Sequence, residues 1–172
     1  MRKLLIVIDM QNDFIDGALG TKEAAAIVEN VKAKIRSYPA ADVIATMDTH
    51  TADYMETQEG KNLPVPHCIR GTAGWKPDAA VKKALGENVI WVEKGTFGAV
   101  DLPKIIGKRR KIEEFLFVGV CTDICVISNA MIVKAAFPEV PVKIAADCCA
   151  GVTPQSHENA LAAMQVCQME IV

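Results

Sequence analysis

The sequence predicts an α/β protein: a three-layer, doubly wound fold with a mostly parallel central sheet and helices on both faces, in one domain spanning 1–172. Three observations carry this. Strand-length runs such as residues 4–8 (LLIVI) and 115–118 (FLFV) are apolar at every position, as strands covered on both faces must be. They alternate along the chain with segments of helical spacing, the pattern of strand–helix–strand crossovers. The 172 residues, 51% of them hydrophobic, suffice for one sizeable core, and no repeat or linker divides them.

Taken in order, residues 4–8 form a first strand with Asp9 just past its carboxyl end. Thr21 caps a helix to about Ser37, with Ala25, Val28, Val31, Lys32 and Ile35 covering one side, and Tyr38-Pro39 ends it. Residues 42–47 form a second strand, followed at once by Asp48-Thr49-His50. A polar loop covers 51–62, and two prolines stiffen 63–67 (LPVPH) before Cys68-Ile69-Arg70-Gly71-Thr72. A short helix at 78–85 precedes a strand at 89–93, which has Lys94 at its end and a loop, Gly95-Thr96-Phe97-Gly98, beyond it. Asp101 with Pro103 opens a brief helix to about Gly107. The strand at 115–118 leads through Gly119-Val120-Cys121-Thr122-Asp123 into a helix from Ile124 to about Ala136, with Thr122 or Asp123 as its N-terminal cap. A strand at 140–146 ends in Asp147, Thr153 and Pro154 open a last helix to about Cys167, and 169–172 forms a short last strand.

Composition excludes several classes. A net charge of −2 gives no electrostatic footprint for nucleic acid. The basic cluster Lys108-Arg109-Arg110-Lys111 reads as a solvated loop between helix and strand. No apolar run approaches a membrane span. The basic start Arg2-Lys3 and the apolar run after it fail as a signal peptide, because Asp9 ends the run without a small-residue cleavage site, so the cytoplasm is the expected location. Six cysteines in such a chain read as thiols rather than bridges. Cys121 and Cys125 have CxxxC spacing, which is neither a redox nor a zinc motif, and Cys68, Cys148, Cys149 and Cys167 read as structural thiols.

The chemistry gathers at strand ends. Cys125 falls in a first helical turn, where free N–H groups and the helix dipole favour the nucleophilic thiolate. The competing reading is a buried core cysteine. Asp9 is a general base or a turn cap. An open parallel sheet brings the carboxyl ends of its strands to one rim. There Asp9 can take the thiol proton, and Lys94 can favour carboxylate and thiolate together. The backbone N–H groups of Cys121 and Cys125 can face an oxyanion. These are the parts of an acyl-transfer site with a thioester intermediate.

Asp9-Met10-Gln11-Asn12-Asp13-Phe14, Lys94 and Gly119-Val120-Cys121-Thr122-Asp123-Ile124-Cys125-Val126 come in an order that resembles the isochorismatase-like cysteine hydrolases, which include nicotinamidases. The resemblance extends over nearly the whole chain. It implies Asp9, Lys94 and Cys125 as a catalytic triad and a cis peptide between Val120 and Cys121 that turns an N–H into the oxyanion hole. It also implies one divalent metal ion, held by Asp48, His50 and His67. Zinc, manganese or iron(II) suits two imidazoles and a carboxylate, with zinc first. Many relatives add a third loop histidine, which this chain lacks; Glu59 takes that place, with Glu56 as the alternative. The metal would hold the ring nitrogen of the substrate and orient it. Phe14 and Phe97 would sandwich a flat ring, or simply pack the core. The remaining histidine, His157, is expected on the surface of the last helix.

The activity so implied is hydrolysis of nicotinamide, or a related heteroaromatic amide, to acid and ammonia. The small-molecule amide is then the main partner, and a homo-oligomer is expected. The alternatives are a metal-free amidase acting on a carbamoyl or ureido amide and a non-catalytic scaffold with the same fold.

Overall fold

The computed structural model describes residues 2–109 and 111–172, so Met1 and Arg110, part of the basic cluster, lie outside the described residues. Its centre is a parallel sheet of β1 (Arg2–Ile8), β2 (Val43–Asp48), β3 (Ile90–Lys94), β4 (Ile112–Val120), β5 (Val142–Ala150) and β6 (Glu170–Ile171), in the order β3-β2-β1-β4-β5-β6. The strand order reverses between β1 and β4. In open α/β sheets the crevice at such a reversal, beyond the carboxyl ends, is where ligands bind.

Strand alternation explains both cores. Leu5 and Val7 of β1 face one side with Val31, Ile35, Val81 and Leu85, from helices α3 (Val28–Arg36) and α5 (Ala79–Leu85). Leu4, Ile6 and Ile8 face the other, with Leu102 and Ile106 of α6 (Leu102–Ile106), Ala130 and Val133 of α7 (Ile127–Ala136), and Met164 of α8 (Pro154–Val166). Each fully buried Leu, Ile or Phe contributes roughly 1.5–3 kcal/mol, so a sheet covered on both faces is the stable answer to strands without a polar side.

Several local expectations are corrected. The long helix after Thr21 is two, α2 (Lys22–Ala26) and α3, with Ile27 between them off helical ψ at −10°. Thr21 does cap it, its Oγ1 accepting from the Ala24 N–H at 3.0 Å. The break moves the first turn's buried face to Ala24 and Ile27, and Ala25 is exposed. The polar loop contains a short helix, α4 (Gln58–Asn62), capped by Thr57, whose Oγ1 accepts from Gly60 N–H at 3.0 Å. β5 runs past Asp147 to Ala150. After Pro154 the last helix has the predicted cap, completed by a reciprocal bond pair between Thr153 and Ser156.

The turn after β4 is also different. Residues Thr122–Val126 form a wide turn of π type, which leads into α7. The Cys121 carbonyl accepts from the N–H groups of Ile124 (3.1 Å) and Val126 (3.0 Å). Neither Thr122 nor Asp123 caps this helix. Thr122 Oγ1 instead pairs with His157 Nδ1 at 2.8 Å, and the Asp123 carboxylate accepts from Val152 N–H at 3.1 Å. With the turn's donors served by backbone, the two side chains are free to tie the turn to the start of α8. Gly119 lets β4 close on β1: its φ is +118°, and a Cβ there would stand 2.1 Å from the Ile8 carbonyl oxygen. The Val120–Cys121 peptide is cis.

Candidate active site

Asp9 leaves β1 with φ of +47°, a left-handed backbone uncommon for a residue with a side chain. Thr46 on neighbouring β2 holds it there twice over. The Asp9 N–H donates to Thr46 Oγ1 (3.2 Å), and the Thr46 hydroxyl donates to Asp9 Oδ1 (2.6 Å). The other oxygen, Oδ2, lies 2.7 Å from the Lys94 ammonium at the end of β3. Lys94 Nζ also stands 3.2 Å from Asp48 Oδ1 at the end of β2 and 3.5 Å from Cys125 Sγ. All four side chains are buried. Strand ends from both sides of the reversal therefore meet at one ammonium.

Burial dominates the electrostatics. It pushes the Cys125 thiol well above its ordinary range, the Asp9 charge adds to this, and Lys94 opposes it. Burial thus opposes the thiolate that the helix start favours. Burial likewise raises the Asp9 carboxyl, with Lys94 opposing. Burial alone would lower Lys94, but Asp9, Cys125 and Asp48 hold it above its usual value. The arrangement suits a neutral thiol beside a carboxylate–ammonium pair, with the proton moving only on attack.

Asp48 turns its second oxygen to the imidazoles, with Oδ2 2.8 Å from His50 Nε2 and 3.5 Å from His67 Nε2. Glu59 Oε1, delivered by α4, lies 3.6 Å and 3.7 Å from the same two nitrogens. Glu56 is exposed in the preceding turn. Among the described residues Asp48, His50 and His67 bring their ligand atoms within 4.8 Å of one another, a group that does not include Glu59. The donor set fits a divalent ion on two counts. His67 Nδ1 is 2.8 Å from the Val65 carbonyl, which fixes the Nδ1–H tautomer and leaves Nε2 with a lone pair. His50 Nε2 is buried, and although Asp48 Oδ2 stands 2.8 Å away the two do not meet in hydrogen-bond geometry, which leaves this nitrogen without a hydrogen bond among the described residues. Donors in a tetrahedron around an ion at about 2.1 Å stand roughly 3.4 Å apart, near the spacings seen. Burial would raise the Asp48 carboxyl, yet the two histidines and Lys94 hold it well below the carboxylate range.

One cavity of about 340 Å³ joins the two clusters. Cys121, Cys125, Asp48, Glu59 and His67 are its chemical side, and Phe14, Leu19, Leu63, Phe97, Ile124 and Val152 its apolar wall. Phe14 is buried and meets the His67 ring edge-on at 5.6 Å, whereas Phe97 is 48% exposed at the mouth. Trp75 lies outside the lining and donates from Nε1 to Thr49 Oγ1 (2.9 Å). His157 is not a free surface residue: it is half-buried and bonded to Thr122.

Several residues that shape the site escaped the sequence reading. Thr46 is one. Gln11 is another: its side chain accepts from Asp48 N–H (2.8 Å) and donates to the Asp48 carbonyl (2.9 Å), clasping the backbone of the residue shared by both clusters. Asp13 Oδ2 accepts from Cys68 N–H (2.7 Å), fixing the chain just after His67. Tyr54 packs edge-on against both imidazoles. Gln11 and Asp13 lay within the quoted motif, and Gln11, fully buried, needs partners for its amide.

A cysteine, an ammonium and a carboxylate in contact beside a metal-donor cluster, at the reversal of a doubly wound sheet, define a candidate cysteine-hydrolase site. The isochorismatase domain matches residues 3–172. An uncharacterised isochorismatase family protein of Bacillus subtilis (strain 168) is 31% identical over 144 residues, covering 76% of this chain and 78% of the relative. The nicotinamidase/pyrazinamidase of Mycobacterium tuberculosis is 28% identical over 99% of this chain and 98% of its own length. The crystal structure of Pyrococcus horikoshii pyrazinamidase in complex with zinc superposes with a TM-score of 0.86 at 28% identity, covering 100% of this chain and 99% of that one. The chain belongs to the isochorismatase domain family.

Proposed function

We propose that this protein is a nicotinamidase-type cysteine amidohydrolase, converting nicotinamide or a related heteroaromatic amide to the acid and ammonia. One observation carries the reading: Lys94 touches Cys125, Asp9 and Asp48 together, and that same Asp48 faces the two imidazoles across one small cavity. The relatives named for nicotinamidase and pyrazinamidase activity support it.

In this reading Cys125 Sγ attacks the amide carbonyl carbon while its proton passes to Asp9 Oδ2. Lys94 keeps the Asp9 carboxylate in place and offsets the charge that develops at sulfur. Backbone N–H groups of Cys121 and Cys125 stabilise the oxyanion. Asp9 returns the proton to the leaving nitrogen, ammonia departs, and a thioester remains on Cys125. Asp9 then takes a proton from water as it attacks the thioester and passes it to the departing sulfur, which releases the carboxylic acid and restores the thiol. Asp48, His50, Glu59 and His67 would hold one divalent ion, zinc by donor type, which when bound orients the substrate through its ring nitrogen. Phe14 and Phe97 would bound the ring. The cytoplasm as location, one domain over 1–172 and a homo-oligomer remain part of this reading, the last checked by light scattering.

The test is ammonia release from a panel of amides, with nicotinamide, pyrazinamide and an N-carbamoyl amino acid, before and after chelation. Turnover of the heteroaromatic amides that falls on chelation and returns with zinc is expected. Turnover confined to the carbamoyl compound and indifferent to chelation would replace this reading with the metal-free one.

A further inference from the structure

Asn129 is fully buried on α7, one turn beyond Cys125, and the proton transfers above make no use of it. Its side chain makes three bonds. Nδ2 donates to the Cys125 carbonyl (2.7 Å) and to the Phe97 carbonyl (3.1 Å), and Oδ1 accepts from Ala99 N–H (2.9 Å). One amide thus joins the backbone of the nucleophile to the loop that carries the exposed aromatic wall of the cavity. The far end of the loop is also held by the Leu102 N–H, which donates to the Ala99 carbonyl (3.0 Å), and by Ala99 itself, which is buried in the core. Thr96 Oγ1 donates to the Gly98 carbonyl (2.8 Å), a bond internal to the loop. Gly98 lies so close to α7 that a Cβ would stand 2.5 Å from Ile132 Cδ1 and 3.5 Å from Ser128 Cβ. An Asn suits this place because it offers donors and an acceptor from one planar group, and a buried amide left with half its partners would be costly.

We propose that Asn129 is a positioning residue that fixes the Phe97 wall at a set distance from Cys125, and so determines how tightly a flat ring is held against the nucleophile. The proposal rests on the amidase reading for its kinetic arm only. Asn129 touches neither substrate nor reacting atoms; it acts through Phe97. Loss of the link should loosen the loop and weaken substrate binding while the thiol stays where Lys94 and the turn hold it.

The experiment combines a double-mutant cycle with hydrogen exchange. Asn129→Ala should raise KM for nicotinamide about tenfold with kcat changed less than about threefold. In a Phe97→Ala background the same substitution should cost less than about threefold in kcat/KM, because the wall it positions is gone. Alkylation of Cys125 by iodoacetamide should stay within about twofold. Without any substrate, exchange in residues 95–100 should quicken at least about tenfold while 127–136 stays protected. Val133→Ala, one turn further along the same helix, is the control for helix destabilisation and should leave KM unchanged. If Asn129→Ala does not fold, Asn129→Asp keeps the shape and the acceptor for Ala99 while removing both donors, and is read in the same way. A loss that persists in full in the Phe97→Ala background, slowed alkylation in parallel with kcat/KM, the same KM rise in Val133→Ala, or unchanged exchange would each overturn the proposal. If no heteroaromatic amide is turned over by the unaltered protein, the amidase reading fails, and the exchange measurement still decides whether Asn129 holds the loop.

Discussion

Asp48 and Lys94 make the joint between the two halves of the site: Asp48 Oδ1 lies 3.2 Å from Lys94 Nζ while Oδ2 faces His50 Nε2 at 2.8 Å. Removal of one carboxylate should therefore disturb two functions that other substitutions disturb singly. His67→Ala should lower metal content and raise KM for nicotinamide by at least about tenfold, the scale of a damaged metal site, with Cys125 alkylation within about twofold. Asp48→Asn should lower metal content and also change the alkylation rate, because Lys94 loses one of its carboxylates. Metal analysis and alkylation of the same preparations separate the two; identical behaviour of both variants would mean that the joint carries nothing.

Cys125 and Cys121 both line the cavity, but only Cys125 lies within reach of Lys94. Cys125→Ala should abolish ammonia release with a melting temperature near that of the unaltered protein. Cys121→Ala should keep substantial activity, since its assigned part is its backbone N–H. Equal losses would reverse the assignment.

Thr46 pins the Asp9 carboxylate, the proposed proton acceptor. Asp9→Asn should lower kcat by about 10² or more, the range for a positioned base. Thr46→Val, nearly the same shape without the hydroxyl, should cost on the order of tenfold in kcat by releasing the carboxylate from its direction. A Thr46→Val enzyme at full rate would show that Lys94 alone positions Asp9.

The buried thiols set an alkaline limit. Burial raises Cys68, Cys125 and Cys149 above the usual thiol value, and pushes Cys121 up to about 12. Below the unfolded thiol value of 9.0 both states hold these protons, and nothing is lost. Above it the unfolded chain releases protons that the folded chain keeps. Stability then falls with rising pH, approaching about 1.4 kcal/mol per pH unit for each such thiol. Melting temperature should drop steadily from pH 9 upward, and Cys149→Ala should show a shallower drop from a lower starting point. Equal slopes would remove Cys149 from the account.

The sequence displayed the site's members more clearly than their relations. Asp9, Asp48 and Lys94 each follow an apolar run, so their place at carboxyl ends of strands was legible from local pattern, and the parallel sheet followed from alternation. That Thr46, 37 residues away in the chain, faces Asp9 was not legible, because it depends on the register of β1 against β2. Glu59 and Glu56 differ by less than one helical turn, and only the unpredicted α4 turns one carboxylate toward the imidazoles. The caps expected from Thr122 and Asp123 failed for a related reason: the Cys121 carbonyl closes the wide turn, and Thr122 turns instead to His157 of α8, 35 residues further on in sequence. The helix start at Cys125 was legible, but not how much water the fold removes from it, which pushes the thiol up.

The reversal of strand order between β1 and β4 also sets when the site can exist. During synthesis the carboxylates and the ammonium of β1, β2 and β3 emerge first, and the thiol only after β4. Until β4 lies alongside β1, Cys125 has no base within reach and no ammonium beside it. In a half-made or half-unfolded chain the thiol is therefore an ordinary free cysteine, without the neighbours that would direct it at an amide.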